Sequence, residues 1–184
     1  MDSIGKEFLQ TVIRRLKYYK DLGDKTFEQL KDEDFHYQPN EESNSIAVII
    51  QHLSGNMLSR WTNFLTEDGE KSWRDRDDEF EVHRYSRQQL VDLWNKGWDC
   101  FLDTLTSLKE EDLLKPIFIR DETLSAIDAI NRQLAHYPYH IGQIVYIGRL
   151  IKNEGWKSLS IPRKGSQQYN DGDHIKDPAK KFSR

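Results

Sequence analysis

The sequence is poor in cysteine and has no long hydrophobic run. Its single cysteine, Cys100, cannot form an internal disulfide bond. Its apolar runs are short, whereas a membrane-spanning helix needs about 20 apolar residues in a row. The opening residues MDSIGKEFLQ do not include the apolar core of a secretory signal. We therefore expect a cytoplasmic protein that does not insert into a membrane.

An excess of positive charge is also missing. The net charge is −4 and the isoelectric point is near 5.9. A general nucleic-acid-binding protein has a basic surface, so this balance argues against nucleic acid as a partner. With 184 residues, the chain is long enough for one domain with a proper hydrophobic core.

Apolar residues recur at helical spacing in four long stretches. Read from their caps and breakers, the stretches are Ile4–Gly23, Ile46–Leu65 after a cap at Ser43 or Ser45, Ser86–Lys109, and a last one from Asp121 or Thr123 to Ile151. The β-prone run at residues 117–119 is too brief to build a sheet. The pattern predicts an all-α four-helix bundle, arranged up-down-down-up or similarly, with a long loop at residues 66–85 between helices two and three.

The composition changes after Gly155. This change divides the chain into a bundle, residues 1–155, and a C-terminal extension, residues 156–184. Apolar residues between Trp156 and Asn170 predict that this part packs on the bundle, whereas the residues from Asp171 onward have little to bury.

Assembly is predicted from general tendencies. Two-fold dimers are the commonest soluble oligomers, and aromatic residues are enriched at interfaces. Tyr18, Tyr19 and Trp156 are available to cover such a surface, so we expect a homodimer. The alternative is that these aromatic residues complete the core of a monomer.

The last helical stretch contains His136 and His140, four residues apart. This spacing puts both imidazoles on one face of a helix, where they can bind one metal ion. A third ligand must come from elsewhere, and the leading candidate is His52 in the second stretch. The alternative, hydrogen-bonded core histidines, is the commoner arrangement. Pro138 favours a site, because a proline inside a helix costs roughly 3 kcal/mol and strain tends to cluster at functional positions.

Polar residues flank the candidate ligands. Asn56 lies four residues after His52, and Gln143 lies three after His140, so each amide is placed to face the same cavity. Arg60 continues the stripe of helix two, one turn beyond Asn56. We interpret Asn56, Arg60 and Gln143 as pocket residues that contact the ligands or a substrate.

The loop between helices two and three carries the string WRDRDDEFE. Trp73, Arg74 and Arg76 combine an aromatic ring with positive charge, and Phe80 follows them. We predict that they form a lid over the mouth of the site that closes on an anionic ligand. The alternative is a solvated charged loop.

Two segments together resemble the DinB-like superfamily of bacterial four-helix metal-binding proteins: SNSIAVIIQHLSGN, and QLAHYPYHIGQI. Two further strings, DGEKSWRDRDDEF and SLSIPRKGSQQYN, resemble one small branch of it. The resemblance implies that His52, His136 and His140 are the ligands of a divalent metal. Relatives in that superfamily include thiol-S-transferases that use bacillithiol or mycothiol and a mycothiol-dependent isomerase. The pattern of the superfamily usually lacks a proline between the paired ligands, where this chain has Pro138.

Three imidazoles leave a coordination position open, as in catalytic metal sites, and they suit Zn, Ni, Cu or Fe. No Glu or Asp is close in sequence to the ligands and no H-E-x-x-H motif occurs, which argues against a metalloprotease. The sequence therefore predicts a metal-dependent enzyme that acts on a small molecule by thiol transfer or hydrolysis. A low-molecular-weight thiol is the candidate cosubstrate. The alternatives are a non-catalytic metal-binding or ligand-binding protein and a stress-linked scaffold.

Overall fold

The structure is a computed structural model that describes residues 3–183; Met1, Asp2 and Arg184, the extremes of the two predicted segments, lie outside it. Its main helices are α1 (Ile4–Phe27), α2 (Ile46–Trp61), α3 (Arg87–Ser107) and α4 (Ala126–Lys152), followed by a short α5 (Ser166–Asp171). Single turns of 3₁₀ helix lie at Glu33–His36, Asp78–Phe80, Glu110–Asp112, Asn153–Gly155 and Pro178–Phe182. The predicted all-α bundle is confirmed.

The long helices run up, down, down and up. The end of α1 packs on the start of α3, so these two helices are antiparallel. Helices α2 and α3 are parallel, because Ser54 lies beside Gly97 and Trp61 lies beside Thr104 further along both helices. A parallel pair needs a long return connection, and the loop between α2 and α3 provides it. Helix α4 completes the bundle beside α1 and α2.

Aromatic side chains fill the centre of the bundle. Trp61, Trp98, Phe101 and Tyr137 come from three helices and are almost fully buried. Their rings contact one another edge-on or tilted, the geometry that aromatic pairs prefer. None of the helices within residues 3–183 has the length and apolar character needed to cross a bilayer.

Each long helix begins after a serine whose hydroxyl accepts a backbone N–H three residues later. These caps are Ser3, Ser45, Ser86 and Ser125. The predicted cap of helix four, Asp121 or Thr123, was wrong, because both residues belong to a β-hairpin that precedes the helix.

The hairpin pairs β1 (Pro116–Ile119) with β2 (Glu122–Ser125) in antiparallel register. Its two turn residues, Arg120 and Asp121, have positive φ angles of 57° and 61°. The carboxylate of Asp68 accepts both of their backbone N–H groups, at 3.0 and 2.9 Å. The prediction that residues 117–119 are too short to build a sheet was therefore wrong. Asp68, which is distant in sequence, stabilises the two-residue turn of the hairpin.

The last residues also pack on the bundle. Ala179 is fully buried, and the turn Pro178–Phe182 lies along α1. Asp177 pairs with Arg15 at 2.7 Å. The prediction that the residues from Asp171 onward have little to bury holds for most of them, since Ala179 alone is buried among residues 171–183, but it missed this contact with α1. Trp156 is half-buried, and the adjacent backbone of Lys157 exchanges two hydrogen bonds with Gln29.

Helix α1 continues through Gly23, the predicted stop, to Phe27. Gly23 serves instead as a close contact between helices, because a Cβ atom there would lie 2.5 Å from the ring of the buried Trp94. The ring can lie this close to α1 only if this position has no side chain.

Replacing Gly23 by Ala tests this contact. We expect the free energy of unfolding to fall by about 1–3 kcal/mol, the usual cost of overpacking a core. Gly142→Ala is the matched control, since a Cβ atom there meets nothing within 4 Å. That change in a helix interior should stabilise by about 0.5–1 kcal/mol. Urea unfolding measures both variants, and equal stability changes of the same sign would contradict the assignment.

Candidate metal centre

Helices α2 and α4 cross in opposite directions and bring three histidines together. His52 comes from the middle of α2, and His136 and His140 come from successive turns of α4. The Nε2 atom of His136 lies 3.2 Å from Nε2 of His52 and 3.1 Å from Nε2 of His140. The potential ligand atoms of the three residues all lie within 4.8 Å of one another. The three predicted ligands are thus close enough to form a metal site.

The other ring nitrogen of each histidine has its own acceptor. The Nδ1 atom of His52 lies 3.0 Å from Glu79 Oε2, and those of His136 and His140 lie 3.2 and 2.9 Å from the Oε1 atoms of Gln133 and Gln143. A carboxylate or amide oxygen can only accept, so each Nδ1 carries the proton and donates. In its neutral form, an imidazole that donates through Nδ1 presents the lone pair of its Nε2 atom. The Nε2 atom of His136 then lies about 3 Å from those of His52 and His140, and all three lie within 4.8 Å of one another.

This arrangement fits a divalent metal ion. Tetrahedral ligands about 2.0–2.1 Å from zinc are roughly 3.3 Å apart, close to the separations between these nitrogens. Burial lowers the pKa of His136 to about 3, helped by the neighbouring His140 and His52. Burial also lowers the pKa of His140, although its hydrogen bond with Gln143 acts in the opposite direction. Both imidazoles are consequently neutral and ready to bind a cation at neutral pH.

Pro138 lies between the paired histidines without breaking the helix. Helix α4 is continuous from Ala126 to Lys152. Proline has no N–H, so the carbonyl of Leu134, one turn earlier in the helix, lacks its usual backbone donor. The paired histidines nevertheless keep their i, i+4 relation, and their ring centroids are 4.8 Å apart.

The sequence did not predict the role of Glu79. Its carboxylate is buried, contacts His52 and receives two hydrogen bonds from Arg74, Nε to Oε1 at 2.7 Å and Nη2 to Oε2 at 2.9 Å. Burial raises the pKa of Glu79, but the hydrogen bonds from Arg74 and His52 outweigh burial and hold the pKa below its ordinary value. No Glu or Asp is close to the ligands in sequence, but the fold brings Glu79 to His52 from 27 residues away. The one sequence feature that reflects this contact is Gly55 on α2, since a Cβ atom at this position would collide with the Glu79 carboxylate.

A cavity of about 400 Å³ lies beside the histidines. It is lined by the three histidines, Asn56, Gln133, Phe80 and five arginines at positions 60, 74, 76, 120 and 132. Phe80 packs on His52 with ring centroids 4.8 Å apart, and so covers one face of this imidazole. The exposure of Arg76, Arg120 and Arg132 shows that the cavity opens to solvent.

The three predicted pocket residues have different positions. Asn56 lines the cavity, and its Oδ1 accepts from the buried Tyr137 hydroxyl at 3.0 Å. Arg60 also lines the cavity and pairs with Glu70 at 3.1 Å. Gln143 contacts His140 but lies at a neighbouring cavity rather than at this one.

The predicted lid residues do not all lie at the cavity. Arg74 and Arg76 line the cavity, whereas Trp73 is 59% exposed and lies beside a separate shallow groove. Only 2% of the Arg74 side chain is exposed, and its guanidinium is paired with Glu79, so it faces inward rather than toward solvent. Arg76 lies over the Phe80 ring, 5.4 Å from its centroid.

Two alanine variants compare how much Arg74 and Arg76 contribute to stability. Arg74→Ala leaves Glu79 buried without its main partner, and we expect a loss of about 3 kcal/mol in stability. Arg76→Ala removes an exposed side chain and one cation–π contact, so the loss should stay below about 1 kcal/mol. Thermal unfolding of both variants, without added metal, gives the comparison. A larger loss for Arg76→Ala than for Arg74→Ala would contradict the buried ion pair.

The fold and the site together define an all-α bundle protein with a three-histidine cluster that could hold a metal ion. The chain belongs to the family described as Protein of unknown function (DUF1572), whose model matches residues 3–165. The match spans all four long helices, and therefore all three histidines. Neither the curated proteins nor the solved structures include a match to this chain.

Proposed function

We propose that the protein is a divalent-metal-dependent enzyme that acts on a small molecule at His52, His136 and His140. The observation that carries this proposal is the convergence of three imidazole lone pairs on the wall of a cavity open to solvent. A structural metal site is normally closed by four protein ligands, whereas three ligands beside a cavity leave room for water or substrate.

The reaction class follows from what the cavity offers. A divalent ion held by three histidines supplies Lewis acidity, which makes a nucleophile of water or a thiol at neutral pH. Glu79 positions His52 and is not the general base, because Arg74 occupies its carboxylate and its pKa is lowered. Tyr137 occupies Oδ1 of Asn56, so Asn56 offers the substrate its Nδ2 donor. Phe80 shields His52 from water.

We propose thiol transfer as the leading reaction and hydrolysis as the second. The resemblance to the DinB-like superfamily supports thiol transfer, since its relatives include transferases that use bacillithiol or mycothiol. A low-molecular-weight thiol is then the cosubstrate, and the metal is zinc, nickel or iron. The homodimer and the cytoplasmic location stay predictions, of which light scattering tests the first.

Metal analysis of histidine variants tests the site. The parent protein should bind one divalent ion per chain, and His52→Ala, His136→Ala and His140→Ala should each lose it. His36→Ala is the control, because His36 contacts the Tyr85 carbonyl, away from the cavity. Retention of one metal ion per chain by all three variants would refute the assignment. Turnover of an electrophile with a thiol, measured on the metal-loaded parent, separates an enzyme from a binding protein.

A further inference from the structure

Besides Arg74, the cavity has two sources of positive charge: Arg76, which lies over the Phe80 ring, and a group of three further arginines. Five arginines line the cavity, but Arg74 is neutralised by its bidentate pair with Glu79. Arg60 and Arg120 share one carboxylate: Arg60 Nη2 and Arg120 Nε each lie 3.1 Å from Oε2 of Glu70. Arg132 makes no ion pair within residues 3–183. Three guanidinium groups thus have one carboxylate between them, and we call Arg60, Arg120 and Arg132 the arginine end.

One of these guanidinium groups has an unused donor. Arg60 is 6% exposed, and its buried Nη1 atom has no hydrogen-bond partner in the described chain. Burial lowers the pKa of Arg60; Glu70 opposes this, and the positive charges of Arg74, Arg120 and Arg132 add to it. Because this Nη1 atom is itself closed off from solvent, what Arg60 offers a ligand in the cavity is its positive charge, together with those of Arg120 and Arg132.

The helices set the distance between the arginine end and the histidines. Because α2 and α4 are antiparallel, Arg60 and Arg132 both lie toward the same end of the cavity. Arg60 is eight residues after His52, or about 12 Å along α2, and Arg132 is four residues before His136, or about 6 Å along α4. A ligand that reaches both ends must therefore be elongated.

Arg120 is held at this end by the chain fold. Asp68 fixes the hairpin turn through the backbone N–H groups of Arg120 and Asp121. The backbone N–H of Gly69 also donates to the Phe118 carbonyl at 2.8 Å. The loop that follows α2 therefore places the side chain of Arg120 beside that of Arg60.

We propose that the substrate is an elongated organic anion, whose carboxylate or phosphate is held by Arg60, Arg120 and Arg132 while its reacting end lies at the three histidines. The guanidinium fork matches both oxyanions, because it donates two parallel N–H bonds to either. The reacting end rests on the metal-dependent function proposed above. The arginine end rests only on its own charges and contacts.

Calorimetric titration of the full-length protein with inorganic phosphate and with succinate tests the arginine end. The parent should bind at least one of these probes saturably, and the tighter probe identifies the headgroup. Arg120→Gln and Arg132→Gln should each weaken its binding at least tenfold. Both residues are exposed, so the variants are expected to fold, which thermal unfolding checks. Arg149→Gln is the control, an exposed arginine on α4 outside the cavity, and should change affinity less than twofold.

Two results would overturn the proposal: no saturable binding by the parent, or an Arg132→Gln variant that binds as tightly as Arg149→Gln. The metal content of each sample is measured in parallel. Loss of anion binding at unchanged metal content identifies the arginines as the binding groups. A parent that binds the probes but contains no metal would refute the metal-dependent function and leave the arginine end supported.

Discussion

The site depends on three hydrogen bonds that face away from it. Glu79, Gln133 and Gln143 accept from the Nδ1–H groups of the three histidines, and so direct the lone pairs of the Nε2 atoms toward one point. Without these acceptors, each imidazole could turn its N–H into the cavity and would repel a cation. The polar residues around the histidines therefore determine what the histidines can bind.

Two of these acceptors come from the helix that carries their histidines, and one does not. Gln133 and Gln143 are each three residues from their histidine on α4, a spacing that places them on neighbouring positions of one face. Glu79 arrives from the loop after α2 and needs Arg74 to keep its charge in a buried place. The position of this loop therefore determines the orientation of His52, because the Arg74–Glu79 ion pair holds the carboxylate that contacts His52.

The sequence predicted the parts of this structure that depend on local periodicity. The four helices, the start of helix three at Ser86 and the histidine pair on α4 follow from spacing along the chain. Ser45 was one of two candidate caps of helix two, and the family resemblance supplied His52. The hairpin, the Glu79–Arg74 pair and the burial of Ala179 depend on contacts between distant segments. No periodic pattern encodes such contacts, and charged residues in a loop look alike whether they are buried or solvated. Arg74 and Arg76 illustrate this, since they are two residues apart and have different environments.

X-ray absorption spectroscopy of the zinc-loaded protein tests the convergence of the three histidines most directly. We expect three imidazole nitrogens at about 2.0–2.1 Å and one further light donor, which under the proposed thiol chemistry an added thiol replaces with sulfur at about 2.3 Å. A shell of four protein ligands that does not change on addition of thiol would contradict an open catalytic site. A shell without imidazole scattering would contradict the site itself.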